Sequence, residues 1–173
     1  MSTSSVFADT FTPVASYEPS EVGLTLTRGG ADATLTITRV QGGVSGAPAA
    51  TDGTHVLRLQ YTNEPDRKIE YRHDWTSSTY DLGGNVELLA DVYFTNNASR
   101  PTVVGVFSPN WQPPDAWEPA VSVPTQTGQW RTVAMNVSDR SQSDLNYIAA
   151  FVFENLGGSA GTIYVDNLRL RSP

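Results

Sequence analysis

The chain has 173 residues, no cysteine, two histidines and a formal net charge of −7. The lack of thiols excludes disulfides, iron–sulfur clusters and thiolate catalysis, and the acidic balance disfavours nucleic acid and anionic membrane surfaces as partners. No apolar run approaches the roughly 20 residues that a membrane span needs. The length of the chain predicts a single domain, residues 1–173. We expect this domain to bind neither membrane nor nucleic acid.

Apolar and polar residues alternate repeatedly along the chain, which is typical of strands with one buried face. Strands are predicted at residues 23–28, 34–38, 56–62, 86–94, 102–107, 118–123, 130–137, 147–154 and 162–170. Glycine and proline pairs separate these segments, and residues 138–144 form one turn of helix at most. The fold class is therefore predicted to be all-β, with two antiparallel sheets packed as a β-sandwich.

The four tryptophans indicate where a ligand is bound, because indole planes stack on the apolar faces of sugar rings. Trp111 and Trp117 lie in a polar, proline-rich stretch, where a tryptophan either covers a core edge or faces solvent for binding. Trp130 opens an alternating strand and is predicted to be core. Trp75 precedes a Ser/Thr turn and is predicted at a core edge.

Residues that an enzyme needs are weakly represented. The nucleophile-elbow pattern Gly-x-Ser-x-Gly does not occur. Glu70 and Asp74 share one face of an alternating segment and form either a carboxylate pair or a solvated strand face. Tyr71, Arg72 and His73 between them resemble a lyase cluster, in which Tyr or His takes a proton and Arg neutralises a uronate. We predict no catalytic site, and a polysaccharide lyase or a structural, protein-binding domain are the alternatives.

Asp166 lies within an otherwise apolar final strand, where an unsatisfied carboxylate is costly. Calcium, an arginine or backbone amides would each satisfy it. Calcium takes oxygen ligands, and Asp52 lies in a turn before a strand, where such ligands are common.

Four short segments resemble, in the same order, segments of jelly-roll carbohydrate-binding modules, the kind attached to polysaccharide hydrolases. They are residues 7–11, 51–59, 128–133 and 161–170, of which the last, Gly-Thr-Ile-Tyr-Val-Asp-Asn-Leu-Arg-Leu, is the most specific. The resemblance implies a jelly roll with a sugar cleft on its concave face. It also implies a structural calcium on the opposite side, tying the first strand to the last.

The resemblance assigns this calcium to Asp9, Asp52, the carbonyl of His55 and Asp166. Thr12 follows Phe11 where the family usually has Glu, so Asp9 is taken as the opening ligand. For the sugar, the resemblance places an aromatic contact near Trp117 and an acidic or aromatic one at Phe153–Glu154, of which Glu154 is taken. With Trp111 and three polar side chains able to bond hydroxyl groups, the predicted carbohydrate-binding residues are Trp111, Trp117, Glu154, Arg58, Gln60 and Tyr71.

The predicted partner is a polysaccharide, and the predicted function is non-catalytic targeting of an attached enzyme to its substrate. The chain is expected to be monomeric and part of a larger secreted protein. Its glycan is left open. Arg58, Arg67, Lys68 and Arg72 indicate either an acidic polymer or charged strand edges that keep the domain soluble.

Overall fold

The computed structural model describes residues 8–21, 24–28, 34–62, 68–75, 84, 86–96, 102–106, 121–122, 127–138 and 150–173. Within these ranges the chain forms strands, turns and irregular segments, and none of it is helical. No helix that could cross a membrane occurs in this described part. The strands are β1 Thr10–Ala15, β2 Leu24–Arg28, β3 Thr34–Gln41, β4 His55–Thr62, β5 Ile69–Trp75, β6 Glu87–Phe94, β7 Thr102–Val106, β8 Val121–Ser122, β9 Trp130–Asn136, β10 Ala150–Glu154 and β11 Gly161–Ser172.

The strands form two antiparallel sheets, which confirms the predicted β-sandwich. Sheet A has the order β3-β4-β11-β6-β9, and sheet B has the order β2-β5-β10-β7-β8. The long strand β11 pairs with β4 along its first half and with β1 along its second half, while β6 runs along its other side. The first and last strands of the domain are therefore neighbours in sheet A.

Alternation along each strand builds the core between the sheets. Leu57, Leu59 and Tyr61 of β4 are buried on the inner face of sheet A, and Phe151 and Phe153 of β10 face them from sheet B. The segment predicted at 147–154 was apolar on both faces, so its orientation was open. Phe151 and Phe153 pack in the core cluster between the sheets, and alternation directs Val152 between them to the outer side of sheet B, where it is also buried.

A bulge at Asp166–Asn167 interrupts β11. The register with β6 shifts between Asp166 and Arg169, and Asn167 adopts a positive φ of 50°, a conformation that Asn tolerates better than most residues. Before the bulge Ile163 and Val165 face the core, and after it Leu168 and Leu170 do. Odd-numbered residues face the core before the bulge and even-numbered residues face it afterwards. The extra residue of the bulge makes this change, so both halves of β11 keep apolar side chains towards the core.

Three predictions near the strands need correction or lie outside the described residues. Trp130 does not belong to the core: it is half-buried on the side of sheet A that faces away from sheet B. It stands three residues before Val133, so alternation places it opposite the buried Val133 and Met135. Residues 139–144 of the predicted helical turn and the side chain of Trp75 lie outside the described residues.

Candidate functional site

The face of each sheet that points away from the other sheet is called its outer face. On sheet A this face carries Arg58 and Gln60 beside a row of three rings, Tyr164, Tyr93 and Trp130. The Tyr93 ring contacts both neighbours edge to face. Its centroid lies 5.9 Å from that of Tyr164 and 5.6 Å from that of Trp130. The rings are steeply inclined to one another, so they do not form a flat platform for a sugar chain.

The connection between β3 and β4, residues 42–54, packs over part of this outer face. The Nε1 of Trp130 on β9 donates a hydrogen bond to the carbonyl of Ala49 at 2.8 Å. The backbone N–H of Thr51 donates to Asp166 on β11 at 2.6 Å. Sheet A is thus partly covered on its outer side by the chain itself.

The outer face of sheet B carries a line of charged residues along β5 and at the end of β10. Lys68 and Glu154 form an ion pair at 3.1 Å, and Arg72 donates to Glu70 at 2.8 Å. Asp74 accepts a hydrogen bond from Thr27 of β2 at 2.9 Å. A carboxylate has about four lone-pair positions, so a single partner orients it and leaves it able to accept hydrogen bonds from hydroxyl groups.

These pairs also determine the charge of the face. Among the described residues of this face, Lys68 and Arg72 each contact a carboxylate, so their positive charge is neutralised locally. Arg58 lies on the opposite side of the molecule, where its Nε donates to Thr38 at 3.1 Å. The basic residues of 58–72 therefore do not form one cationic patch in the described structure, and Arg67 lies outside it.

The predicted carbohydrate-binding residues that the structure describes fall in three places: the outer face of sheet B, the outer face of sheet A and the core. Glu154 lies on the outer face of sheet B, with about a third of its side chain exposed. Arg58 and Gln60 lie on the outer face of sheet A, so they cannot share a site with Glu154. Trp111 and Trp117 lie outside the described residues, in the part of the sequence that joins β7 to β8.

Tyr71 belongs to neither outer face, and its prediction as a sugar contact is wrong. Its ring is fully buried and stacks on Phe151 and Phe153, with centroids 5.6 Å and 6.1 Å away. Its hydroxyl lies 3.3 Å from that of Tyr17. Tyr71 is two residues after the buried Ile69, and alternate side chains of a strand point to the same side of the sheet. Tyr71 therefore points into the core.

The alternation of side chains along β5 also separates the three residues of the alternative lyase cluster. Tyr71 and His73 point into the core, whereas Arg72 points to the outer face. Burial raises the pKa of Tyr71 well above its ordinary value and lowers the pKa of His73 to about 3. A buried phenol and a buried neutral imidazole cannot reach a polymer that Arg72 contacts, so these residues do not form a lyase site. Glu70 and Asp74 share the outer face, as predicted, and each has its own partner there.

The residues predicted to bind calcium are not arranged as a cation site. Asp166 is satisfied by backbone amides, one of the three possibilities that the sequence left open, and Asp9 pairs with Arg171 at 3.2 Å. His55 contacts Glu18 through its backbone N and its ring. Across the described residues, no three His, Asp or Glu side chains are grouped to hold a metal ion. Asp9 and Asp166 thus have partners of their own among the described residues, and calcium binding stays a prediction.

Glu18 is a further residue of this region that the sequence did not single out. Its carboxylate accepts from the backbone N–H groups of Thr54 and His55. The hydrogen bond from the Thr54 amide is the main reason that the pKa of Glu18 falls to about 2. In contrast, burial raises the pKa of Asp166. The only sequence signal for Glu18 is its position just after the strand that opens the domain.

The sequence matches no family model and no curated protein sequence. Solved structures share its fold at low sequence identity. A family 11 carbohydrate-binding module from Clostridium thermocellum, in complex with a β-1,3-1,4-mixed-linked tetrasaccharide, is 16% identical with a TM-score of 0.58, over 92% of this chain and 94% of that one. An exo-β-agarase is 14% identical with a TM-score of 0.58, over 93% of this chain and 25% of that one. A Stig cyclase from Fischerella sp. TAU is 13% identical with a TM-score of 0.57, over 95% of this chain and 98% of that one.

Proposed function

We propose that this chain is a non-catalytic module that binds a polysaccharide through the outer face of sheet B. The observation that carries the proposal is the line of oriented side chains Glu70, Arg72, Asp74 and Glu154 on that face. Hydrogen-bonding groups held in fixed positions over an extended strand suit a linear polymer with hydroxyl groups along its length. The outer face of sheet A is less suitable, because the rings of Tyr93, Tyr164 and Trp130 are steeply inclined to one another there and offer no flat platform for a sugar ring.

Two tryptophans complete the proposed site. Trp111 and Trp117 stand between β7 and β8 in the sequence, and both strands belong to sheet B. Their stretch is polar and rich in proline, which favours surface positions over a core. We infer that Trp117, with Trp111 as the second candidate, supplies the stacking surface that a sugar ring needs.

The fold similarity supports this function without deciding it, because one fold serves many activities. Carbohydrate-binding modules share the fold over nearly the whole chain, and so does a Stig cyclase. The residues that favoured a lyase, Tyr71 and His73, are buried. Binding without catalysis is therefore the better proposal for the described part of the chain.

The pairing of both described cations of this face with carboxylates favours a neutral glycan. Lys68 and Arg72 are paired within the face, and the chain as a whole is strongly acidic. A uronate polymer would meet a net excess of carboxylates there, at a cost in Coulomb repulsion. Mixed-linkage β-1,3-1,4-glucan is the first polymer to test, because a structural neighbour is bound to a fragment of it.

We propose that the chain works as a monomeric part of a larger secreted protein and brings an attached carbohydrate-active domain to its substrate. The exo-β-agarase supports this arrangement, because this fold accounts for only 25% of that chain. Co-sedimentation of the full-length protein and of the module with insoluble glycan tests the targeting role.

Affinity gel electrophoresis tests the binding proposal directly. We expect mixed-linkage β-glucan in the gel to retard the wild type, and Trp117→Ala to weaken retardation at least several-fold, since a stacking residue contributes about 1–3 kcal/mol. The melting temperature of Trp117→Ala should stay close to that of the wild type. Agarose, xylan and alginate gels define the specificity. If no polysaccharide retards the wild type, a structural or protein-binding domain becomes the better explanation.

A further inference from the structure

The end of the β3–β4 connection directs consecutive backbone N–H groups at the carboxylate of Asp166. Its Oδ2 accepts from the N–H of Thr51 at 2.6 Å, from the hydroxyl of Thr51 at 2.9 Å and from the N–H of Asp52 at 3.0 Å. Its Oδ1 accepts from the N–H of Asn167 at 2.8 Å. Asp166 has no exposed surface, so these donors replace the water that the carboxylate gives up on folding.

Thr54 and His55, which follow Gly53 in the same turn, do the same for a second carboxylate. Glu18, which follows β1, accepts from the N–H of Thr54 and from the N–H of His55 at 2.8 Å. Its other oxygen lies 3.0 Å from the Thr54 hydroxyl and 3.1 Å from Nδ1 of His55. Two carboxylates from distant parts of the chain are thus bound by one turn.

Gly53 separates the two pairs of donors and allows the turn to serve both. It has a positive φ of 65°, and a Cβ at this position would overlap the Glu18 carboxylate. Successive N–H groups that converge next to a residue of positive φ form a concave anion site. The turn 51–55 is therefore built for negative charge on both sides of its glycine.

This polarity is the reverse of what a calcium site needs. Calcium takes about six to eight oxygens at about 2.3–2.6 Å, so the lone pairs of its carboxylate ligands must be open to the ion. Here the N–H groups occupy the oxygens of Asp166 and Glu18. Asp9, the predicted acidic ligand that precedes β1, is engaged by Arg171.

We propose that the turn 51–55 is an anion-binding turn closed by Glu18 and Asp166, and that it joins the first and last strands of this domain without a divalent cation. The turn takes over the role that the family resemblance assigns to calcium. It connects the end of β1 and the bulge of β11 to the start of β4 through charge-assisted hydrogen bonds.

Thermal unfolding of the full chain with and without calcium tests the proposal. The melting temperature should differ by less than about 1 °C between excess EDTA and about 10 mM CaCl2. The reason is that only a ligand that binds the native state raises the melting temperature, and under this proposal calcium does not bind it. A calcium site of the affinity usual in extracellular modules would instead raise the melting temperature by about 3 °C or more. Such a rise, lost in Asp166→Asn, would overturn the proposal.

Three variants further distinguish an anion-binding turn from a calcium site. Glu18→Gln and Asp166→Asn keep the side-chain shape but bring an NH2 group against the N–H donors of the turn, so each should lower the melting temperature by about 4 °C or more, equally in EDTA and in CaCl2. Asp9→Asn is the matched control, since Asp9 is a predicted calcium ligand outside the turn. It should leave the melting temperature almost unchanged in both buffers. A loss for Asp9→Asn that appears only in CaCl2 would contradict the anion-binding turn, even if the other variants fail to fold.

Discussion

Tyr71 and Arg72 are consecutive residues of β5 that lie on opposite sides of sheet B. The Tyr71 ring stacks between Phe151 and Phe153 in the core, while the Arg72 guanidinium lies on the outer face and donates to Glu70. A ligand on the outer face can reach Arg72, but the sheet itself separates it from Tyr71. β5 therefore contributes Tyr71 to the core and presents Arg72 on the face that is proposed to bind polysaccharide.

The first prediction compares two arginines on opposite faces. Arg72→Ala should weaken retention in a polysaccharide gel several-fold, because it removes a donor of the proposed site and releases Glu70 from its fixed orientation. Arg58→Ala, on the outer face of sheet A, should leave retention unchanged. Both side chains are partly exposed, so neither change should unfold the domain. The reverse order of effects in the gel would move the site to sheet A.

The second prediction concerns Trp130, which holds residues 42–54 against sheet A rather than filling the core. Trp130→Phe removes the hydrogen bond to Ala49 but keeps a ring, and should lower the free energy of unfolding by about 1 kcal/mol. Tyr71→Ala, in the core, should lower it by about 3–5 kcal/mol. Urea denaturation followed by circular dichroism measures both. A loss for Trp130→Phe as large as that for Tyr71→Ala would show that Trp130 is a core residue after all.

The third prediction is a pH dependence caused by His73. Burial lowers the pKa of His73 to about 3, whereas in the unfolded chain the pKa is about 6.5. Between these values the unfolded state binds more protons, so stability is complete above about pH 6.5 and decreases as the pH falls towards 3. From about pH 7 to about pH 5 this residue alone should cost about 2 kcal/mol.

His73→Gln isolates this effect. The variant should lose the decrease in stability between about pH 7 and about pH 5, whatever its stability at neutral pH. Glu18, whose pKa is lowered to about 2, contributes a loss of the same sign only as the pH falls below its unfolded value of about 4.5. The difference between wild type and variant in urea midpoints across the pH series is the measurement. Parallel curves would contradict the assignment.

The fourth prediction compares two glycines of the β10–β11 connection and the start of β11. A Cβ at Gly161 would overlap the amide of Asn96 and the phenol of Tyr61, so Gly161→Ala should cost about 1–3 kcal/mol. At Gly158 the nearest atom to an added Cβ is the carbonyl oxygen of Ala160, at 3.7 Å. Gly158→Ala should therefore change the free energy of unfolding by less than about 0.5 kcal/mol. Equal effects in thermal melts would show that Tyr61 and Asn96 can move aside.

The sequence by itself determined the fold class and the inward residues of most strands. Alternation is a local property, so Leu57, Leu59 and Tyr61 could be assigned to one face without knowing what they pack against. The same rule, applied to Tyr71 and Trp130, would have placed the first with buried Ile69 and the second opposite Val133. Both residues were assigned from the usual role of their residue type, and their place in the alternating pattern was given less weight.

Only the tertiary structure decided which strands share a sheet. Arg58 and Glu154 each point outwards from their own strand, yet β4 belongs to sheet A and β10 to sheet B, so the two side chains lie on opposite sides of the domain. Pairing between strands distant in the sequence decides this, and no short pattern records it. The same holds for Asp166, whose need for partners was evident from its apolar strand, whereas the choice of Thr51 and Asp52 depended on where the β3–β4 connection crosses β11.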